Sequence, residues 1–194
     1  MGRMYYRLAG VVAVAACLAL STHGQTPPDV VVETGSEPGT NSSYPDGAYA
    51  YAIGDFPAAR RLFGEECRTG NTGSCLRAAD DWRIGRGGPQ DYGLAIEYAD
   101  LACQRRVADG CTVAATIHFE GRATGEPDYG AAREAYGAAC DLSDPRGCAG
   151  LGNMQYIGLG GLRERREGIE NLRQACRQAF DYACTQLRDY GQNR

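Results

Sequence analysis

Eight cysteines form four pairs in the chain, and in every pair seven residues separate the two members. Cysteines so placed can form disulfides, bind a metal or exchange electrons as dithiols. We call each pair, with the residues between its members, a bracket. The brackets are Cys67 to Cys75, Cys103 to Cys111, Cys140 to Cys148 and Cys176 to Cys184.

The spacing within the brackets argues against a metal and against catalytic redox chemistry. Structural zinc sites combine close cysteine pairs with further cysteine or histidine ligands. Here seven residues separate the cysteines of a pair, and no C-x-x-C motif occurs. The histidines of the chain are His118 and His23, and His23 lies at the end of the N-terminal segment described below. We therefore expect no metal and no cofactor, and we interpret the brackets as a structural disulfide framework.

The beginning of the chain predicts export, which suits disulfides. MGRMYYR carries two positive charges, and the thirteen apolar residues LAGVVAVAACLAL that follow are too few for a membrane-spanning helix. We assign residues 1–24 to a signal peptide and residues 25–45 to a flexible tether rich in Pro, Gly, Ser and Thr. Cleavage after small residues such as Ala19 and Ser21, and lipidation of Cys17 in the lipobox-like VAAC, are alternatives. Both lead to the periplasm or beyond, with a membrane attachment only in the lipidated case.

Composition narrows the range of functions. The formal charge is −4, and all 20 basic residues are arginines. An acidic chain is a poor partner for nucleic acid, which proteins hold through basic side chains on phosphates. Without lysine, the S-x-x-K and K-T-G motifs of serine β-lactamases are impossible. Ser74 and Ser143 lie inside brackets, outside any recognisable Ser-His-Asp context. We therefore name no catalytic residue.

The brackets recur with intervals of 36, 37 and 36 residues, which is typical of stacked helical repeats. An acid stands twelve residues before each first cysteine, where it would cap a helix. Small and bulky residues between the acid and the cysteine follow one helical face. Glycine stands ten residues after three of the second cysteines, where a left-handed residue would end a second helix. The acids are Asp55, Asp91, Asp128 and Glu164, and the glycines are Gly85, Gly121 and Gly158.

This pattern predicts an all-α solenoid of four helix-turn-helix repeats within residues 46–194. The units cover about residues 55–88, 91–125, 128–161 and 164–194, after a partial helix in DGAYAYAIGDF. A tight turn between antiparallel helices brings two Cα atoms within the roughly 4.4 to 6.8 Å of a disulfide. We therefore predict the pairs Cys67–Cys75, Cys103–Cys111, Cys140–Cys148 and Cys176–Cys184.

The units resemble Sel1-like repeats, which are related to tetratricopeptide repeats. The likeness covers about residues 46–190 and rests on the period, the alanines of the packing face, the opening acids and the endings GRGG, GRA and GLGG. A bracket in every unit is similar to the Helicobacter cysteine-rich proteins, in which a disulfide joins the two helices of each repeat. Departures are Glu66 in place of alanine, Ala123 in the second ending, and a fourth unit without closing glycines. The resemblance implies a right-handed superhelix.

The resemblance also implies an adaptor that holds a protein or peptide on its concave face. Candidate contacts are polar residues of the first helices that lie away from the packing face. The alternative is a solvated face with helical charge pairing, and for any single residue we favour that alternative. Trp82 and His118 share one offset after the second cysteine, and we expect both to pack rather than bind. The candidates are Arg60, Arg61, Glu97, Asp100, Arg133, Glu134, Glu170 and Arg173.

Other functions remain open at this point. The Helicobacter cysteine-rich proteins imply penicillin binding or weak β-lactamase activity, which the residue chemistry above does not favour. A scaffold of this size also suits a small ligand, such as a β-lactam or a peptidoglycan fragment. Other exported Sel1-like proteins imply a periplasmic immunity protein that blocks a toxin.

Overall fold

The computed structural model of the protein describes residues 44–192. The predicted leader, Cys17, most of the tether and the last two residues lie outside this part. Within it the chain forms helices and no strands, and none of these helices is long and apolar enough to cross a bilayer. The helices are α1 (Gly47–Ala52), α2 (Phe56–Arg68), α3 (Thr72–Ile84), α4 (Tyr92–Gln104), α5 (Ala108–Glu120), α6 (Tyr129–Asp141), α7 (Pro145–Ile157), α8 (Arg165–Arg177) and α9 (Asp181–Asp189).

The eight helices that follow α1 form four hairpins, which confirms the all-α repeat architecture. In each repeat the first helix (α2, α4, α6 or α8) packs on the second (α3, α5, α7 or α9). Each second helix packs in turn on the first helix of the next repeat, and the second helices of neighbouring repeats also touch. This stacking buries two apolar clusters, one in α1 and repeats 1 and 2 and one in repeats 3 and 4, which no single hairpin could build.

Acidic side chains begin most of the first helices, as predicted. Asp55, Asp91 and Asp128 each accept a hydrogen bond from the backbone N–H three residues later. Such caps satisfy one of the N–H groups that a helix start leaves unpaired. Glu164 occupies the same position before α8 without making this bond, and its carboxylate instead pairs with Arg133.

A residue with left-handed backbone conformation lies at or just after the end of each helix after which the chain reverses direction. The second helices α3, α5 and α7 end at the predicted glycines, with φ angles of 75°, 66° and 86°. Inside every bracket the third residue after the first cysteine is also left-handed, which turns the chain from the first helix towards the second. These bracket residues are Gly70, Arg106, Ser143 and Ala179.

Each bracket closes as a disulfide between its own two cysteines. The Cα atoms of the paired cysteines lie 4.5, 4.5, 4.4 and 4.8 Å apart along the chain order. These separations fall within the range that a disulfide spans. Every hairpin is thus joined covalently at the turn between its helices.

Small residues let the helices approach closely. Ala59, Ala95 and Ala132, eight residues before the first cysteines, are fully buried. At the junction of repeats 3 and 4, a Cβ on Gly152 would lie 2.7 Å from the carbonyl oxygen of Gly168. The backbones of α7 and α8 therefore cross at a distance that only glycine permits.

Glu66, which departs from the alanine pattern, holds α1 on the first repeat. Its Oε1 accepts a hydrogen bond of 2.6 Å from the backbone N–H of Gly47, and its Oε2 accepts one of 2.5 Å from the Ser74 hydroxyl. In repeats 2 and 3 the equivalent positions are an alanine packed tightly on a glycine, such as Ala102 on Gly110. The departure therefore serves the junction with α1.

Candidate functional site

A groove lined largely by aromatic and apolar side chains lies on the second helices of repeats 2, 3 and 4. Its volume is about 500 Å³, which is within the range of pockets that hold small ligands or peptide side chains. We call it the aromatic groove. Residues on its walls include Thr112, Thr116, Phe119, Tyr136, Arg146, Gly150, Asn153, Ile157, Phe180, Tyr182, Gln186 and Tyr190.

Three large side chains of the aromatic groove are unusually open to solvent. Phe119 on α5, Ile157 on α7 and Tyr182 on α9 are 37%, 49% and 51% exposed. Each comes from the second helix of a different repeat, so the stacking brings together residues that are distant along the chain. A contiguous exposed apolar surface of this kind marks a binding site more often than a solvated face.

Tyr136 is the one groove residue above that comes from a first helix, and Gly150 makes room for it. A Cβ on Gly150 would lie 2.7 Å from the Tyr136 ring. The Tyr136 hydroxyl lies 3.3 Å from Oγ1 of Thr116 on the preceding repeat. Burial raises the pKa of Tyr136, so the phenol stays protonated and can donate a hydrogen bond at neutral pH.

Asn153 lies on the groove wall between two tyrosines of repeat 4. Its Nδ2 donates to the Tyr182 hydroxyl at 2.9 Å, and its Oδ1 accepts from the Tyr190 hydroxyl at 3.1 Å. The Tyr190 ring stacks on Tyr156 with 3.7 Å between ring centroids. These contacts fix the amide and the rings, which lowers the conformational entropy that these side chains would lose when a ligand binds.

The other end of the aromatic groove is polar and tightly paired. Arg146 donates to the carboxylates of Asp144 and Asp109. The buried Asp144 also accepts from the Thr112 hydroxyl at 2.8 Å, which ties repeat 2 to repeat 3. Burial alone would raise the pKa of Asp144, yet the hydrogen bonds from Arg146 and Thr112 outweigh it and lower that pKa. The hydrogen bond to Asp144 raises the pKa of Arg146, so the guanidinium stays charged between the two carboxylates.

Two of the candidate residues predicted from the sequence close the loops that follow the second helices. Arg60 donates to the carbonyl of Pro89 at 3.0 Å and stacks over Trp82 with its guanidinium carbon 3.8 Å from the ring centroid. Arg133 donates to the carbonyl of Leu162 at 2.9 Å and pairs with Glu164. Both arginines stand seven residues before a first cysteine, and both have a structural role.

The remaining candidates lie on the first helices, outside the aromatic groove. Arg61 pairs with Glu65 at 2.8 Å. Glu170 lies 3.7 Å from Arg173 and 3.3 Å from Arg177.

Glu97 and Glu134 are exposed, while burial raises the pKa of Asp100 despite the nearby His118. Arg60 and Arg61 share a small cavity of about 250 Å³ with Trp82 and Tyr98. The structure thus does not gather the eight candidates into one site, and their partner contacts stay a prediction.

The other residues singled out in the sequence have local roles. Trp82 packs beneath Arg60, as expected, whereas His118 lines a separate cleft beside the loop after α5. Ser74 is buried and donates its hydroxyl to Glu66. Among the described residues, no three His, Cys, Asp or Glu side chains lie close enough to hold a metal ion.

Sequence reasoning missed the aromatic groove because it looked for polar residues on the first helices. A signal was present: Phe119 and Ile157 stand eight and nine residues after a second cysteine, near the end of a helix. The buried face of that helix is already formed by small residues and by one large side chain, Ile117 in α5 or Met154 in α7. Bulky apolar residues that lie outside the buried face of a helix indicate a surface that a partner could cover.

Comparison with known proteins places this architecture among Sel1-like repeat structures. No family model and no curated protein sequence matches the chain. A protective antigen of uropathogenic Escherichia coli, c5321, which displays an SLR fold, superposes with a TM-score of 0.64 at 21% identity over 72% of this chain. This chain spans 31% of that protein's length.

Two shorter structures are covered almost completely. A Sel1 repeat protein of Oxalobacter formigenes gives a TM-score of 0.58 at 19% identity, covering 66% of this chain and 95% of that one. Helicobacter pylori cysteine-rich protein B gives 0.50 at 24% identity, covering 66% and 90%. The protein therefore has the fold of Sel1-like α-solenoids. The likeness to the Helicobacter cysteine-rich proteins that the brackets predicted is confirmed at the level of the fold.

Proposed function

We propose that the protein is an exported scaffold that binds a polypeptide segment in the aromatic groove. The Sel1-like fold suits protein interaction, because stacked hairpins present an extended surface. The four disulfides suit an oxidising compartment outside the cytoplasm. The observation that carries the proposal is the exposure of Phe119, Ile157 and Tyr182 along one groove.

The groove chemistry favours recognition over hydrolysis. Its lining set contains no serine, cysteine, histidine or lysine, the residues from which most nucleophile and base pairs are built. The rings and Ile157 offer apolar contact, and the fixed amide of Asn153 offers hydrogen bonding to a peptide backbone. We therefore expect an extended peptide that inserts bulky apolar side chains between the rings.

The test uses a pair of matched variants. Ile157 and Ile84 stand at the same position, nine residues after a second cysteine, and are 49% and 46% exposed. Only Ile157 lines the aromatic groove. Peptides selected from a random library on the oxidised wild-type protein should bind Ile157→Arg about tenfold more weakly, because the charge would lose its hydration in the groove. Ile84→Arg should bind them normally.

The natural partner is then sought by capture from cell-envelope extract on the same three proteins. A polypeptide retained by wild type and Ile84→Arg, and lost with Ile157→Arg, would support the proposal. Equal retention by all three would place the binding surface elsewhere. Selected peptides without aromatic or aliphatic residues would contradict the proposed chemistry.

A further inference from the structure

Repeat 2 differs from repeats 1 and 3 at the loop that leaves its second helix. In repeats 1 and 3 an arginine of the first helix reaches this loop and donates to a backbone carbonyl, as Arg60 does to Pro89 and Arg133 to Leu162. At the same position, seven residues before Cys103, repeat 2 has Ile96. Isoleucine cannot supply that hydrogen bond.

The loop of repeat 2 also lacks a second side-chain hydrogen bond, or tie, that holds the loop to the preceding helix in repeats 1 and 3. In repeats 1 and 3, the side chains of Gln90 and Arg163 donate back to a carbonyl in the last turn of the second helix. The equivalent residue in repeat 2 is Pro127, which has no side-chain donor. This loop is one residue longer as well. Both side-chain ties that close the loop elsewhere are therefore missing here.

A cleft of about 420 Å³ lies where the arginine would be expected. Ile96 forms one wall and His118 another, and the loop supplies Thr124, Glu126 and Asp128. We call it the repeat 2 cleft. His118 stands at the offset of Trp82, the ring over which the Arg60 guanidinium stacks. The cleft thus keeps a planar ring but has no guanidinium of its own.

Two groups that receive an arginine elsewhere have counterparts here: the loop carbonyl of repeats 1 and 3, and the acid of repeat 3. Asp128 corresponds to Glu164, which pairs with Arg133, and its own side chain is exposed. The Glu126 carbonyl corresponds to the carbonyls of Pro89 and Leu162. It accepts one hydrogen bond, of 2.8 Å, from the Thr124 hydroxyl, and a carbonyl oxygen has a second lone pair.

We propose that the repeat 2 cleft binds the guanidinium group of an arginine side chain presented by a partner polypeptide. Arg60 lies between a ring and a loop carbonyl, and Arg133 lies between a loop carbonyl and an acid. The incoming group would take the corresponding place in repeat 2, beside His118, the Glu126 carbonyl and Asp128. A planar fork of donors fits such a set of acceptors better than the compact ammonium of lysine does. The site is separate from the aromatic groove and does not depend on the function proposed for it.

The decisive variant is Ile96→Arg, which gives repeat 2 the arginine of its neighbours. The probe is the capped tripeptide acetyl-Gly-Arg-Gly-amide, titrated into labelled protein and followed by backbone amide chemical shifts. In the wild type we expect shifts at residues 117–129 that saturate. In Ile96→Arg we expect binding to weaken at least about tenfold, because the cleft is filled from within. Ile84→Arg adds the same charge on an exposed site and should bind as the wild type does.

A second variant and two altered peptides keep the test decisive if Ile96→Arg does not fold. Asp128→Asn keeps a good helix cap but removes the charge, and should weaken binding severalfold. Tripeptides with citrulline or lysine in place of arginine should bind more weakly than the arginine peptide. Equal binding of the citrulline or lysine peptide, unchanged binding by Asp128→Asn, or shifts confined to other surfaces would each overturn the proposal.

Discussion

At the residue scale, two buried carboxylates show how burial and pairing compete. Asp81 is 1% exposed, and its Oδ1 lies 3.3 Å from Arg86 while its buried Oδ2 has no hydrogen-bond partner in the described structure. Burial raises the pKa of Asp81, although Arg86 and Arg77 oppose the effect. Asp144, 6% exposed, has enough donors that its pKa is lowered instead. Burial alone therefore does not decide the charge of a residue.

We expect Asp81→Asn to raise the free energy of unfolding at neutral pH by about 1 kcal/mol, because the buried charge with an unpaired oxygen is removed. Repeats 2 and 3 have Ile117 and Met154 at this position. A raised pKa means that the folded state binds the proton more tightly than the unfolded state. The contribution of Asp81 to stability is therefore full below its ordinary pKa and is lost as pH rises through its folded pKa.

Urea unfolding at several pH values measures this effect. The advantage of Asp81→Asn should shrink as pH falls towards the ordinary pKa of aspartate. Asp144→Asn is the opposite case: because the folded pKa of Asp144 is lowered, wild type should lose that contribution as pH falls below the ordinary value. An Asp81→Asn protein less stable than wild type at neutral pH would show that the Arg86 pair outweighs the cost of burial.

At the element scale, the repeats are similar in backbone and different in the side chains that close them. Repeats 1 and 3 use Arg60 and Arg133 on a loop with two adjacent glycines, whereas repeats 2 and 4 have Ile96 and Ile169 at that position. A Cβ on Gly88 would lie 2.0 Å from the Arg60 guanidinium. The glycine and the arginine therefore depend on each other, since the side chain occupies the space that a Cβ would need.

Two helical glycines should respond oppositely to the same change. Gly137 on α6 would meet nothing within 4 Å of an added Cβ, so Gly137→Ala should stabilise the protein by about 1 kcal/mol through helix propensity. Gly150→Ala gains the same propensity, but its Cβ would clash with the Tyr136 ring at 2.7 Å. Overpacking costs about 1 to 3 kcal/mol, so we expect a net loss.

Thermal melts of the two variants give the comparison. Gly150→Ala should also weaken binding in the aromatic groove, because Tyr136 must move, while Gly137→Ala should leave binding unchanged. Stabilisation by both substitutions would mean that the ring yields at no cost. In that case the packing of Tyr136 would not be what shapes the groove.

At the scale of the whole molecule, stability is a sum of hairpins and the interfaces between them. The chain-entropy model gives roughly 2.6 kcal/mol for a disulfide that closes a loop of this length. The Cys103–Cys111 bridge lies in an inner repeat, and the Cys176–Cys184 bridge lies in the last described repeat. Loss of the first bridge therefore affects a repeat with neighbours on both sides, whereas loss of the second affects a repeat with one neighbouring repeat in the described structure.

We expect replacement of Cys103 and Cys111 by alanine to lower the melting temperature by more degrees than replacement of Cys176 and Cys184. Loss of an inner bridge weakens a repeat that supports neighbours on both sides, whereas loss in repeat 4 lets mainly that repeat fray. Hydrogen exchange should show fast amides limited to residues 165–189 in the second case. Equal melts for both variants, or a wild-type melt insensitive to reductant, would contradict this prediction.

The sequence by itself determined the repeat architecture. The period of the brackets, the capping acids and the terminal glycines act locally, through helix ends and tight turns, and each can be recognised within one repeat. For this reason the hairpins and the disulfide pairs were predictable. The function that such a scaffold performs followed only as a class, because a fold of this kind accommodates many partners.

The tertiary structure alone decided where the two surfaces that we propose for binding lie. The aromatic groove joins Phe119, Ile157 and Tyr182 from three repeats. The repeat 2 cleft lies at the loop that lacks the two side-chain hydrogen bonds of repeats 1 and 3. Arg60 and Arg133 reach loops 29 residues further along the chain. Such contacts depend on how the hairpins stack and how the loops fold back on the helices. Helical periodicity describes one helix at a time, so it cannot predict contacts between repeats.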